Sequence, residues 1–290
     1  MTLPSVLIFD VDNTLYDFVD FFGPSFRSMV HALAKTEDLE EADIVESARA
    51  VYQRAGTLEH QFLIQSMDIF SSRSPADRER LIRLARVAFS KTRKNRLKLY
   101  DGIQEVIASA RASGFKCVCV TNAPYYHVEG RLRDLNLLAL IDGLVAWEGS
   151  PVDESRPDYV RKYSGRREQL EKRLQLFCTP NRTQLKPATY PFHIIANRFG
   201  SRFQYFSIGD NIAKDLQPAR AAGMSTIWAR YGTKVDPRNL ETLLDVTPWS
   251  NEEYARSKEK LVEPDFVADS PRDIARILKI PMQAELFAST

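Results

Sequence analysis

The chain has 290 residues, 44% of them hydrophobic, which is enough to bury the core of one large domain or of a domain carrying a smaller insert. Its 40 lysines and arginines nearly balance 38 aspartates and glutamates, so net charge gives no reason to expect a nucleic acid polymer or a membrane as partner. The three cysteines lack metal-ligand spacing, and no apolar run approaches the roughly 20 residues of a membrane span. We therefore expect a soluble, cytoplasmic protein.

Five short apolar runs rich in β-branched residues predict buried strands. Most of them are uniformly apolar, and helical patterns lie beside them, as in a parallel sheet covered on both faces. The predicted fold is therefore α/β, a doubly wound, Rossmann-like parallel sheet. The runs are residues 6–9, 117–120, 143–147, 205–208 and 226–229, and a last short strand and helix are predicted at 264–268 and 271–278.

The connection between the first two predicted strands is far longer than one crossover needs. It shows helical periodicity and no convincing strand, so we predict an inserted helical domain at 17–96 in a core formed by 1–16 and 97–290. Two further connections are long, 149–185 and 231–263, and the first is treated as an extra insertion. The predicted helices of the insert are 17–35, 40–55, 58–70 and 76–93, and those of the long connections are 168–176 and 252–261.

Polar residues follow three of the predicted strands at the point where each strand ends. Open α/β sheets bind ligands at the carboxyl ends of their strands, so these residues are candidates for one common site. Lys186 precedes a proline and the helix that leads into the fourth strand, and we expect it to join them. The candidates are Asp10, Asp12 and Thr14 after the first strand, Thr121 and Asn122 after the second, and Asp210 and Asp215 after the fourth.

Carboxylates that converge in one crevice repel each other unless a cation neutralises them, and ligands that are all oxygen favour Mg²⁺. With Lys186 added, such a site suits a phosphate dianion. Asp10 can then attack phosphorus because positive charge screens it from the incoming anion. Asp12 can protonate the leaving oxygen and later activate the hydrolytic water.

These residues resemble, in order and spacing, the four motifs of the haloacid dehalogenase superfamily, with Phe192 at its usual distance after Lys186-Pro187. The resemblance implies a phosphatase in which Asp10 is the nucleophile and Asp12 the acid/base. It further implies three groups of residues around the reacting phosphoryl group. Mg²⁺ would be bound by the Asp10 carboxylate, the Asp12 backbone carbonyl and Asp210. The phosphoryl group would be bound by Thr121, the backbone N–H of Asn122 and Lys186, and Asp215 would orient the metal site or Lys186.

The helical insert lies where this family places its most common type of cap, which closes over the site and supplies substrate contacts. Phe18, Phe21 and Phe22 either line the cleft or, as is more usual at that spacing, form the core of the cap. The insertion at 149–185 holds two weaker rivals of Lys186, Lys162 and Lys172, and several other basic residues. We hypothesise that part of this basic segment favours a substrate with more than one anionic group: Arg156, Arg161, Lys162, Arg166, Arg167, Lys172 and Arg173.

The function expected from these residues is a Mg²⁺-dependent phosphomonoester hydrolase that acts on a small phosphorylated metabolite, as a monomer or homodimer. Residues 9–16 also resemble the opening motif of some pyrimidine 5′-nucleotidases, but nucleotide and sugar phosphate remain equally ranked. A phosphomutase-like phosphotransferase and a non-catalytic ligand-binding or regulatory protein remain as alternatives. A dehalogenase is disfavoured because Asp12 has no role where no leaving-group oxygen needs a proton.

Overall fold

A computed structural model describes residues 4–149, 176–178, 180–247 and 262–282. The chain divides into two compact units. The described residues of the first, the core unit, are 4–16, 99–149, 176–178, 180–234 and 262–282. Those of the second, the helical unit, are 17–98 and 235–247.

A parallel sheet forms the centre of the core unit, and in the described part of the chain it has seven strands in the order β4-β3-β2-β1-β5-β6-β7. This confirms the predicted doubly wound α/β fold. The first strand lies between the second and the fifth, so the chain builds one side of the sheet and then crosses to the other. The strands are β1 (Ser5–Phe9), β2 (Lys116–Pro124), β3 (Gly143–Trp147), β4 (Leu176–Cys178), β5 (Gln204–Gly209), β6 (Ser225–Ala229) and β7 (Phe266–Ala268).

Ten α-helices are found among the described residues, and the first four and the ninth of them belong to the helical unit. The predicted segment 58–70 forms only a short helix and a 3₁₀ turn, Asp68–Phe70. The helices are α1 (Phe18–Glu37), α2 (Glu41–Ala55), α3 (Leu63–Ser66), α4 (Pro75–Arg96), α5 (Ile103–Ala112), α6 (Tyr125–Asp134), α7 (Tyr190–Phe199), α8 (Gln217–Ala221), α9 (Pro237–Val246) and α10 (Pro271–Ile277).

The core strands are uniformly apolar because both faces of the sheet are covered. Val6 and Ile8 of β1 pack in one cluster with Phe192 of α7. Leu7 and Phe9 point to the opposite face, since side chains alternate along a strand, and both are fully buried. This packing fixes the position of the loop that follows β1.

Aromatic side chains fill the centre of the helical unit. Asp17 caps α1 by accepting a hydrogen bond from the Asp20 main-chain N–H at 2.8 Å. Within α1 the rings of Phe18 and Phe22 stack at 5.4 Å, and those of Phe22 and Phe26 at 5.9 Å. These phenylalanines, with the buried Phe21, therefore form the core of this unit.

The expectation that residues 97–290 all belong to the core is wrong for 235–247, which form part of the helical unit, and residues 97 and 98 belong there too. Helix α9 packs against α1 and α2 and buries Leu243 and Val246. Arg27 of α1 donates to Asn239 at 2.7 Å, and a Cβ on Gly23 would lie only 3.0 Å from the Asn239 carbonyl oxygen. The apolar face of an amphipathic helix predicts that the helix packs against another element, but it does not indicate which unit that element belongs to.

The insertion at 149–185 contributes a strand that the sequence did not predict, β4 at the edge of the sheet. Leu176 lies in this strand, so the predicted helix 168–176 is wrong at that residue. Residues 168–175, the predicted helix 252–261 and the seven basic residues from Arg156 to Arg173 lie outside the described residues. Among the residues that are described, no helix is long and apolar enough to cross a membrane.

Candidate active site

The loop after β1 is tied to the loop after β5. The Asp10 main-chain N–H donates to the Ile208 carbonyl at 2.8 Å, continuing the β1–β5 pairing past the end of the strand. The Thr14 hydroxyl accepts from the Asp210 main-chain N–H at 3.2 Å and lies 3.5 Å from Asp10 Oδ2. Thr14 therefore holds together the ends of two strands that carry candidate aspartates.

Lys186 lies against Asp10 despite the long insertion that precedes it. Its ammonium donates to Asp10 Oδ1 at 2.5 Å, Asp215 Oδ1 at 2.6 Å and the Val120 carbonyl at 3.1 Å. Its side chain is 5% exposed, and three acceptors match the three protons of an ammonium group. Lys186, Asp10 and Asp215 form what we call the lysine centre. The rivals Lys162 and Lys172 lie outside the described residues.

Asn122 at the end of β2 holds the main chain of Lys186. Its side-chain amide donates to the Lys186 carbonyl at 2.7 Å and accepts from the Lys186 N–H at 3.0 Å. The Lys186–Pro187 peptide bond is cis. Thr121, the neighbour of Asn122 in β2, is buried, and its hydroxyl accepts from the Ala123 N–H at 3.1 Å. The sequence assigned only the backbone N–H of Asn122, and this bridging role of its side chain was missed.

Asp215 approaches the strand end closely because residue 209 is glycine. A Cβ there would lie 2.5 Å from the Cβ of Asp215. Asp215 Oδ2 accepts from the Asn211 N–H at 3.0 Å, so both of its oxygens are engaged, one by this loop and one by Lys186. The π-helical turn Ile212–Leu216 carries Asp215 back to this position.

The charges of this cluster fit a hard divalent cation. One carboxylate oxygen from each of Asp10, Asp210 and Asp215 lies within 4.8 Å of the others. Burial raises the pKa of Asp10 to about 7 against the opposing charge of Lys186. Although burial disfavours its ammonium, Asp10 and Asp215 raise the pKa of Lys186, which stays charged. Lys214 also interacts with these carboxylates, but two lysines do not offset three carboxylates, so an excess of negative charge remains among oxygen donors, the donor set that Mg²⁺ prefers.

The end of β6 and the residues that follow it support both loops, and sequence reasoning missed them. The indole N–H of Trp228 donates to the Asp210 carbonyl, and the Tyr231 hydroxyl donates to the Thr14 carbonyl, each at 2.9 Å. A Cβ on Gly232 would lie 1.7 Å from the Asn13 carbonyl oxygen. These residues belong to no motif, so nothing in the sequence connected them to the site.

Asp12 lies in a second cluster, which we call the arginine centre: Asp12, Tyr16 and Arg131. The Tyr16 hydroxyl donates to Asp12 Oδ1 at 2.6 Å, and Arg131 donates to that oxygen and to the Tyr16 oxygen at 3.0 Å each. Arg131 was missed, although a signal was present. It shares the buried face of α6 with Val128 and Leu132, three and one residues away, where an apolar residue is expected.

A family model for haloacid dehalogenase-like hydrolases matches residues 4–223, about three quarters of the chain. The chain belongs to that family. A second model, for HAD-hydrolase-like proteins, matches residues 185–274. The expected family and the expectation of an enzyme are thereby confirmed, and a phosphatase-type hydrolase is the activity class that these findings support.

This family member is similar to glyceraldehyde 3-phosphate phosphatase of Methanopyrus kandleri, with 24% identity over 279 residues that cover 94% of this chain and 96% of the relative. Solved structures share its fold. A HAD phosphatase from Thermococcus onnurineus is 14% identical with a TM-score of 0.53, covering 96% of this chain and 99% of that one. A putative beta-phosphoglucomutase from Thermotoga maritima is 16% identical with a TM-score of 0.52, covering 95% and 98%. At these identities the structures show the fold alone.

Proposed function

We propose that this protein is a Mg²⁺-dependent phosphomonoester hydrolase that acts on a small phosphorylated metabolite through a phospho-Asp10 intermediate. The observation that carries the proposal is the 2.5 Å contact between Lys186 and Asp10 inside a group of three carboxylates. A protein that only binds a ligand has no need for a nucleophile beside an acid/base group. Asp12, two residues along the same loop, is that group.

In the first step an Asp10 oxygen attacks phosphorus, and the bond from phosphorus to the substrate oxygen breaks. Lys186 and Thr121 hold the phosphoryl group, and the Asn122 backbone N–H assists them. Asp12 gives its proton to the departing oxygen, so that an alcohol leaves rather than an alkoxide. The carboxylate of Asp10 becomes an acyl phosphate.

In the second step Asp12, now a carboxylate, takes a proton from water. That water attacks the phosphorus of phospho-Asp10, and inorganic phosphate leaves while the Asp10 carboxylate is restored. The Asp10 carboxylate, the Asp12 carbonyl and Asp210 would hold Mg²⁺, which would supply positive charge to offset the anionic substrate and the excess charge of the cluster. Asp215 keeps Lys186 in place through both steps.

Nucleotides and sugar phosphates are both candidate substrates. The name of the Methanopyrus kandleri relative makes triose phosphates the first compounds to test. We place substrate selection in the helical unit, the position of the family's cap, and in the basic segment at 149–185. Neutralising Arg166 and Arg167 should raise the KM of the best substrate if that segment binds a second anionic group.

Phosphate release from a panel of phosphorylated metabolites, with Mg²⁺ or with EDTA, tests the proposal. We expect Mg²⁺-dependent turnover that disappears in Asp10→Asn. Asp101→Asn is a matched control, because that carboxylate is exposed and paired with Arg272 on the surface. Return of phosphate to the substrate at another position would instead indicate a mutase. Ligand binding without turnover in the native protein would indicate a binding role.

A further inference from the structure

Two residues of the arginine centre, Arg131 and Tyr16, have no part in the function proposed so far. Arg131 is 4% exposed, and burying a guanidinium is strongly unfavourable unless it is paired. It donates to one oxygen of Asp12 and to the hydroxyl of Tyr16. An arginine therefore lies on the buried face of α6 where that face meets the acid/base aspartate.

The hydrogen bonds in this cluster have a fixed direction. Arginine only donates, so the Tyr16 oxygen accepts from Arg131, and the Tyr16 hydroxyl proton goes to Asp12 Oδ1. Burial raises the pKa of Tyr16 well above its ordinary value, so the hydroxyl keeps this proton. Asp12 Oδ1 thus receives two hydrogen bonds.

These contacts leave the other oxygen of Asp12 for proton transfer. The side chain of Asp12 is 27% exposed, whereas Arg131 and Tyr16 are buried, so the exposed part of the cluster is the carboxylate. A carboxylate held at one oxygen by two donors cannot rotate without breaking both bonds. Its second oxygen is thereby aimed in one direction.

From this geometry we infer that Arg131 and Tyr16 are positioning residues, which hold Asp12 in the orientation needed to protonate the leaving group. The inference rests on the proposed function, since it assumes that Asp12 is the acid/base. A merely structural cluster would support folding of the loop but would have no selective effect on proton transfer.

The test compares two phosphate esters by kcat/KM, which reports the step that releases the leaving group. 4-Nitrophenyl phosphate has a weakly basic leaving group that departs without a proton, whereas an alkyl phosphate needs one. Tyr16→Phe should lower kcat/KM for the alkyl ester by about tenfold, part of the 10²–10⁴ typical of general acid catalysis, and leave 4-nitrophenyl phosphate nearly unchanged. Arg131→Met should act in the same direction, and Arg131→Lys should restore part of the loss.

Matched controls remove one hydroxyl or one arginine elsewhere. Tyr205→Phe loses a hydroxyl bound to the carbonyls of Ala196 and Gly200, and Arg133→Met removes an exposed arginine paired with Glu129 on α6. Both should leave the ratio of the two kcat/KM values unchanged. Thermal melting shows whether each variant is folded. If Arg131→Met does not fold, Tyr16→Phe still tests the inference, because it removes only a single oxygen atom.

The decisive arm repeats Tyr16→Phe in an Asp12→Asn background. Because Tyr16 acts through Asp12, Tyr16→Phe should cause no further loss of kcat/KM for the alkyl ester when Asp12→Asn is already present. The inference would be overturned if Tyr16→Phe alone lowered kcat/KM equally for both esters. It would also be overturned if Tyr16→Phe caused its full loss again in the Asp12→Asn background. Failure of the proposed function looks different, because activity would then be unaffected by Asp10→Asn in the first place.

Discussion

The lysine centre and the arginine centre each bury one cation beside one aspartate of the first motif, but their charges differ. Lys186 meets two carboxylates and a carbonyl, with Asp210 and Lys214 close by, so three carboxylates outnumber two lysines. Arg131 donates to the Asp12 carboxylate and to the Tyr16 hydroxyl oxygen, so this cluster pairs one guanidinium with the second aspartate of the motif. An excess of negative charge can attract a metal ion, which would in turn stabilise a reacting anion, whereas the pair of guanidinium and carboxylate fixes the orientation of one side chain.

The largest expected effect comes from removing the cation of the lysine centre. Lys186→Met leaves Asp10 and Asp215 buried without their partner and removes a charge from the reacting phosphoryl group. We expect kcat/KM to fall by roughly 10³-fold, with some loss of stability, measured by steady-state kinetics and thermal melting. Lys116→Met is the control, because that lysine lies 3.8 Å from Asp142 and is half exposed. A loss below tenfold would show that Lys186 does not act on the phosphoryl group.

A glycine variant tests how precisely the lysine centre is held. Gly232→Ala forces the loop that carries Asn13 to move, because a Cβ at 1.7 Å from its carbonyl cannot be accommodated. We expect kcat to fall by about 10²-fold, the size of effect that an ångström of misplacement produces. Gly130→Ala inside α6 meets only the Arg133 side chain at 3.8 Å and should keep full activity with equal or slightly higher stability. Equal activity of the two variants would contradict this account.

The excess negative charge of the lysine centre predicts a pH-dependent affinity for Mg²⁺. With a pKa of about 7 in the metal-free protein, Asp10 is protonated at lower pH, and that proton must leave before the metal binds. Apparent affinity should therefore fall as the pH drops below 7, by up to about tenfold per unit, and be nearly constant above 8. Titration calorimetry at pH 6 and 8 measures it. Asp10→Asn should bind more weakly and lose this dependence, and equal affinities at both pH values would contradict the prediction.

The smallest effect is expected at the arginine centre. Tyr16→Phe should cost about tenfold, and only where the leaving group needs a proton. Together with Lys186→Met, which should affect activated and unactivated esters alike, it separates stabilisation of charge from orientation of the acid. A loss of equal size for both kinds of ester in both variants would remove the distinction between the two centres.

The residues of the lysine centre were predictable because each follows a strand end or precedes a helix in a recognisable order. Asp10, Lys186 and Asp215 were named from the sequence, and the structure brings them together. The strands were predictable for a related reason, since full burial on both faces leaves uniformly apolar runs such as 6–9 and 117–120. Their functional roles stay predictions.

What the sequence did not predict depends on contacts between distant segments. Strand β4 has three residues, too short for a periodic signal. Helix α9 joins α1 through Asn239, about 200 residues away in the chain, and no pattern in either helix names the other. Arg131 carried a weak signal, a charge on an apolar face, but its partners in the loop after β1 could be found only from the fold.

The account depends most directly on Asp10, and one measurement tests it. The native protein and Asp10→Asn are each incubated with Mg²⁺ and the best substrate of the panel, and the reaction is stopped with acid. The protein is then analysed by mass spectrometry, and the released phosphate is measured. The account predicts a transient gain of one phosphoryl group on the peptide that contains Asp10, Mg²⁺-dependent phosphate release, and neither of these in Asp10→Asn. Phosphate release by Asp10→Asn at the native rate would contradict it.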